Sequence, residues 1–211
     1  FESAKQASQT KMLRIIEKIK KSNIDSNSPQ LEYWLGVAWR NYTAWFVRGD
    51  DREEYLLKAA DHLQRAYDIE ISGSGPNWAI YAGALGSLLV NEAIVRDLER
   101  AIPLLEKLFK STRSYDPLLC SYADALYKAK EFEAAAEVAS ALHQRAESSE
   151  EWEDFVPPAP MRIAAKAYRA QVRQFKKKGQ LKAAVEVSEK LLKTGAATEN
   201  DERIYQRLIQ S

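Results

Sequence analysis

The chain is 211 residues long, 45% hydrophobic and 29% charged, with only 8 Gly and 7 Pro, which excludes a low-complexity or disordered chain and supplies enough apolar material for a substantial core. Its formal net charge of +1 provides no overall pull towards nucleic acid or an anionic membrane. A lone cysteine, Cys120, rules out an intrachain disulfide framework, and no apolar run approaches the roughly 18–20 residues a spanning helix requires.

The first residue is Phe1 rather than Met, as expected of a processed chain or an excised fragment, so the compartment stays open between cytoplasmic and exported. Ser3 to Ser22 carries a helical pattern, with Met12, Leu13, Ile15, Ile16 and Ile19 apolar. The polar run Ser22–Gln30 ends it, and Pro29 suits the first turn of the next helix. Leu31 to Val47 is a second helix, rich in aromatics. Arg48–Asp51 breaks it, with Asp51 placed to cap a third, Arg52–Ile69. Ser72–Asn77 (SGSGPN) is the clearest linker. A fourth helix is expected over Trp78–Val95 and a fifth over Asp97–Phe109, where Pro103 costs one backbone bond. Leu118–Leu142 holds two short helices back to back. The acidic, aromatic, proline-containing connector Ala146–Pro160 follows, then Met161–Lys178 and Gln180–Lys193 around Gly179, and finally Thr198–Ile209. No segment alternates with period two, so the fold class is all-α, with about ten helices.

Aligned pair by pair, the helices repeat. Tyr122-Ala123, Ala125-Leu126, Phe132, Ala135 and Leu142 correspond to Tyr81-Ala82, Ala84-Leu85, Leu98, Ala101 and Leu108. Leu35-Gly36, Ala38-Trp39, Ala59, Leu63 and Ala66 precede them; Ala164-Ala165, Ala167-Tyr168, Leu181, Ala184 and Leu191 follow. The pattern resembles the tetratricopeptide repeat, in which W-x2-L-G-x2-Y is followed by small residues on the second helix. LGVAW at Leu35–Trp39, NWAIYAGAL at Asn77–Leu85 and DLERAI at Asp97–Ile102 carry the resemblance best. Small residues let paired helices approach closely, and each pair leaves an apolar face for its neighbour to cover. Ala59, Ala101, Ala135 and Ala184 are 42, 34 and 49 residues apart, so only the third unit keeps the family's period of about 34. The resemblance implies a divergent α-solenoid: a capping helix at 1–24, helix pairs at 30–71, 75–112, 115–147 and 158–195, and a second cap at 197–210. Another helical-hairpin array is the structural alternative.

In that family the first helices of the pairs line a concave groove that holds a peptide. Transferred by position, the resemblance puts Tyr33, Val37, Arg40 and Asn41 there from the first pair, and Ala79, Gly83, Gly86 and Ser87 from the second. Cys120, Asp124, Tyr127 and Lys128 would follow from the third, and Arg162, Lys166 and Arg169 from the fourth. The candidate contacts are Tyr33, Arg40, Asn41, Gly83, Asp124, Tyr127, Lys128, Arg162, Lys166 and Arg169. Gly83 either leaves backbone bare for a ligand or permits a close helix contact. A Lys/Asn carboxylate clamp is not expected, because Tyr33 and Val37 stand where it would be.

Charge is uneven along the chain. Met161–Lys193 holds ten Lys and Arg against two Glu, and Arg162, Lys166, Arg169 and Arg173 form one helical stripe, a seat for an acidic peptide or a phosphate. Glu131–Phe155 holds eight acidic residues against Arg145, so the neighbours could equally neutralise each other. The insert Glu147–Pro158 either folds Trp152 and Phe155 across the basic groove or is a connector whose Trp152 packs on the nearest helix pair. Trp34, Tyr42 and Trp45 are expected between helices, and Tyr33 and Arg40 towards the groove.

Catalytic signals are weak. His62 and His143 lack ligand-spaced partners, Cys120 has no nearby histidine, and Gly73–Gly75 lacks the Gly-Lys-Ser/Thr ending of a phosphate loop. The sequence therefore points to a non-enzymatic interaction scaffold with no cofactor or metal, binding a protein or peptide partner of acidic character. RNA binding would need basic residues in every unit, and they concentrate in one. The alternative is a self-association module of a larger protein, and a homo-oligomer is compatible with either reading.

Overall fold

The computed structural model describes residues 2–21, 28–152 and 157–210. Among the described residues every regular element is helical, and ten α-helices follow in order: α1 (Glu2–Lys20), α2 (Pro29–Phe46), α3 (Asp51–Ser72), α4 (Trp78–Asn91), α5 (Leu98–Ser111), α6 (Cys120–Lys128), α7 (Phe132–Glu147), α8 (Ala159–Lys177), α9 (Leu181–Leu192) and α10 (Glu199–Ile209). The all-helical class and the number of helices agree with the periodicity. No described helix is long and apolar enough to cross a membrane. The chain divides into two compact units, Phe1–Leu104 and Leu105–Ser211.

In the first unit each helix packs on the next, α1 on α2, α2 on α3 and α3 on α4. The α2–α3 crossing is set by Gly36: a Cβ there would lie 2.6 Å from Leu63 Cγ and 3.1 Å from the Ala59 carbonyl oxygen. Ala59 and Leu63 are fully buried in return. Trp39, Tyr42 and Tyr55 close the same interface, with Trp39 stacked on Tyr55 at 5.4 Å. Asp51 is the first residue of α3 rather than its cap, and no side chain caps that end. α4 stops at Asn91, short of Val95, because Glu92 is extended and a 3-10 turn, Ala93–Val95, follows. Pro103 is accommodated inside α5, which runs uninterrupted from Leu98 to Ser111.

In the second unit α6 packs on α7, α7 on α8, α8 on α9 and α9 on α10, while α6 also meets α8. The two helical hairpins turn identically. Glu131 N–H donates to Leu126 O and Gln180 N–H to Phe175 O, both at 2.9 Å. The left-handed position is Lys130 (φ 67°) in one and Gly179 (φ 71°) in the other. Glycine suits that conformation; lysine there is strained. Val138, Ala139 and Leu142 of α7 and Val187, Ser188 and Leu191 of α9 are buried at matching places after the turn. The turn thus pairs Leu126 with Phe175, whereas the sequence alignment pairs Leu126 with Tyr168. α8 is ten residues longer than α6 at its start, nearly three turns, and matching small residues such as Ala123 and Ala165 could not reveal where they were inserted.

Candidate functional site

Two elements of the second unit bring the predicted residues together. On α6, Asp124 and Lys128 form an i, i+4 ion pair at 2.5 Å. The Lys166 ammonium of α8 sits 6.0 Å from the centroid of the Tyr127 ring, a cation–π arrangement. Arg162, Lys166 and Arg173 are exposed on α8, and none makes a salt bridge among the described residues; Arg173 Nε donates only to the Arg169 carbonyl, at 3.2 Å. Tyr127, Lys166, Arg162 and Arg173 therefore form a basic face with an aromatic floor.

Arg169 is placed differently from the expectation of a ligand contact. Its Nε lies 3.0 Å from both Asp201 carboxylate oxygens, its Nη2 is 2.8 Å from Oδ2, and the same Nη2 donates to the Ala196 carbonyl at 2.9 Å. Asp201 is only 5% exposed and also accepts from the Thr198 amide and hydroxyl, each at 2.8 Å, within a capping box that starts α10. Burial pushes the Asp201 carboxyl up, but Arg169 and the Thr198 hydrogen bonds outweigh it and hold its pKa below the ordinary 3.8. Arg169 is a clamp holding α10 on α8. Its partner lies 32 residues away, beyond the reach of any local spacing rule.

Next to the clamp, α8, α9 and α10 enclose a cavity of about 200 Å³, with Val172, Leu191 and Ile204 below Arg173 and Lys176. Lys176 was not singled out from the sequence. Its signal was available: it extends the stripe one turn past Arg173.

The remaining candidates belong to the first unit. Tyr33 packs against Trp34 at 5.3 Å and against Tyr81 of α4 at 5.1 Å, so its ring is engaged in helix packing. Arg40 lies two turns on from Tyr33 along the same side of α2, and Arg40 and Asn41 are both half-buried. Gly83 lies in Tyr81–Val90, where every residue is buried, so it presents no bare backbone at the surface. Tyr42 is buried as expected, but Trp34 and Trp45 are 57% and 60% exposed. The buried arc of α2 is filled by Leu35, Ala38, Trp39, Tyr42 and Thr43, and both tryptophans fall just outside it. Eleven residues apart, they share one side of the helix about 16 Å apart.

The other sequence candidates resolve into structure. Trp152 meets Tyr115 edge to face at 5.4 Å, which favours the packed connector; Phe155 lies outside the described residues. His62 Nδ1 donates to the buried Glu32 carboxylate at 2.6 Å, tying α3 to α2. Burial pushes the Cys120 thiol above its ordinary value despite the Tyr115 hydroxyl 3.6 Å away, which disfavours the thiolate a nucleophile needs. The Gly73–Gly75 loop encloses a carboxylate of its own: buried Glu70 accepts from the Asn77 amide at 2.6 Å, and a Cβ at Gly75 would collide with it. A phosphate has no room there. No group of three or more potential metal ligands occurs among the described residues.

Three buried polar atoms have no hydrogen-bond partner among the described residues: His143 Nδ1, Trp152 Nε1 and Gln171 Nε2. Each such vacancy costs about 1–3 kcal/mol unless something fills it. No family model, curated protein or solved structure matches the chain, so function is read from its own residues.

Proposed function

We propose that this chain is a non-catalytic protein-interaction scaffold, built of divergent tetratricopeptide-like helix pairs stacked as an α-solenoid, and that its second unit receives an acidic peptide segment on the α6–α8 face. The observation that carries the reading is the exposed row Arg162, Lys166 and Arg173, which has no carboxylate partner among the described residues and runs beside Tyr127. Cations without such partners donate charge-assisted hydrogen bonds to a ligand carboxylate without first breaking internal ones. Tyr127 adds a rigid apolar surface for a flanking side chain. The contact of α6 with α8, first helices of successive pairs, is the adjacency that a stacked repeat array requires.

Fluorescence anisotropy with labelled Asp- and Glu-rich peptides tests this. Arg162→Glu with Lys166→Glu should weaken binding at least about tenfold, with a salt dependence that flattens in the variant. Undiminished binding by the double variant would remove the reading.

The exposed pair Trp34 and Trp45 favours a second reading, self-association through α2. Light scattering after size-exclusion chromatography separates the two: a dimer that Trp34→Ser with Trp45→Ser converts to monomer would favour assembly over peptide capture.

A further inference from the structure

α8 has a second functional side. At about 100° per residue, Tyr168, Gln171 and Phe175 lie some 160° around the helix from the basic stripe. They floor a groove walled by α7 and α9, which runs from Glu133 past Glu137 and Glu186 to His143, Lys190 and Lys193. Its narrow centre encloses about 170 Å³. Two of the three unpartnered buried polar atoms lie along it. Gln171, 7% exposed, offers an Nε2–H donor. His143 Nε2 is 3.3 Å from Glu147 Oε1, so Nε2 carries a proton, and in the neutral ring Nδ1 is an acceptor without a donor.

We propose that this groove binds a segment of a partner protein in extended conformation, with a basic residue at the Glu133, Glu137 and Glu186 end. A donor and an acceptor are what an extended backbone complements, because its carbonyl and N–H groups are unspent. A helical ligand satisfies its own and leaves Gln171 vacant. Along α7, Glu133 to His143 spans about 15 Å, the length of four or five extended residues. The basic preference follows from Glu133, Glu137 and Glu186, which are exposed, make no ion pair among the described residues and outnumber Lys130, the cation lining that end. Lys193 at the far end, with Lys190 between it and the narrow centre, opposes a second basic residue there and fixes the direction of the segment. The same carboxylates repel nucleic acid and anionic membranes.

The test uses the full chain and a fluorescein-labelled octapeptide with two adjacent arginines at one end and Ala, Val and Gly elsewhere, beside a counterpart with glutamates for the arginines. The arginine probe should bind at least about tenfold more tightly than the glutamate probe, and Glu137→Lys with Glu186→Lys should remove that preference. Gln171→Met should weaken the arginine probe about fivefold without lowering the unfolding midpoint, since it removes an unsatisfied donor and keeps the side chain's volume. Arg162→Glu with Lys166→Glu should leave the arginine probe unaffected, so this site and the acidic-peptide face stand or fall separately. Equal binding of the two probes, or indifference to the glutamate reversals or to Gln171→Met, would overturn the proposal. A dimer that the glutamate reversals dissociate would also overturn it, by assigning the groove to a second copy of this chain.

Discussion

Replacing Arg169 by Met should loosen α10 without touching peptide capture. The substitution deletes three guanidinium–carboxylate contacts of 2.8–3.0 Å and the bond to Ala196 O, and leaves the Asp201 carboxylate, 5% exposed, with only its Thr198 donors. Removing one partner of a buried pair costs about 3–5 kcal/mol; the Arg169 side chain is 31% exposed, so the lower end, about 3 kcal/mol, applies. Concentrated on one terminal helix, that is an increase of about two orders of magnitude in the opening of Glu199–Ile209, read by hydrogen exchange with mass spectrometry. Asp201→Asn should cost about 2 kcal/mol, and the double variant should be less damaging than the sum, with a coupling near 2 kcal/mol.

The effect has a pH signature. Asp201 has a folded pKa below that of the unfolded chain, so its contribution is complete above about pH 5 and is lost as pH falls through the folded value. The Arg169→Met penalty should therefore be full at pH 7 and fade below about pH 4. A coupling under about 0.5 kcal/mol, together with lost binding of acidic peptides, would refute the clamp and return Arg169 to the ligand site.

Gly36→Ala should destabilise the chain by about 1–2 kcal/mol in urea titration, because overlap with Leu63 and the Ala59 carbonyl outweighs the gain of about 1 kcal/mol in helix propensity; stabilisation would contradict the α2–α3 geometry. Gly75→Ala should displace the Glu70 carboxylate from the Asn77 amide and lower stability by about 1 kcal/mol, while in a Glu70→Ala background the same change should be nearly neutral. Tyr115 and Cys120 are both raised, chiefly by burial, so the folded state keeps protons that the unfolded chain releases at about pH 9–10. The unfolding midpoint should drop as pH rises above 9, and iodoacetamide should alkylate Cys120 far more slowly than a free thiol at pH 7.5.

Helix identity was legible because apolar spacing and Gly or Pro breaks are local. The same locality explains the small-residue crossing: Gly36 and the alanines of α3 announce a close approach whichever helix is opposite. What could not be read was which side of a helix a neighbour takes. Trp34 and Trp45 look like core residues until Trp39 and Tyr42 are seen to occupy the α2–α3 seam. Likewise, nothing near Arg169 or His62 in sequence hints at Asp201 or Glu32. The α7–α9 groove escaped notice for a related reason. Gln171 is one polar residue on an amphipathic helix, and its lack of an acceptor exists only once α7 and α9 stand on either side.

The acidic stretch around α7 and the basic stretch beginning at α8 present a choice between mutual neutralisation and separation. Among the described residues, no salt bridge joins the carboxylates of α7 to the cations of α8 or α9. Among those residues the one tertiary ion pair of the basic stripe is Arg169–Asp201, to α10. Opposite faces of a helix with its side chains are about 10–12 Å apart, and the Debye length at physiological salt is about 8 Å. Charges on the two sides of α8 are therefore largely screened from one another, and neither face relieves the other. Retaining unpaired charge of both signs on opposite sides of one helix adds little to folding stability, since exposed pairs contribute little in any case. On the proposed reading it gives each face its own preference among ligands. On that physical ground the basic side of α8 is not neutralised by the carboxylates of α7 among the described residues, as the two proposed ligand preferences require.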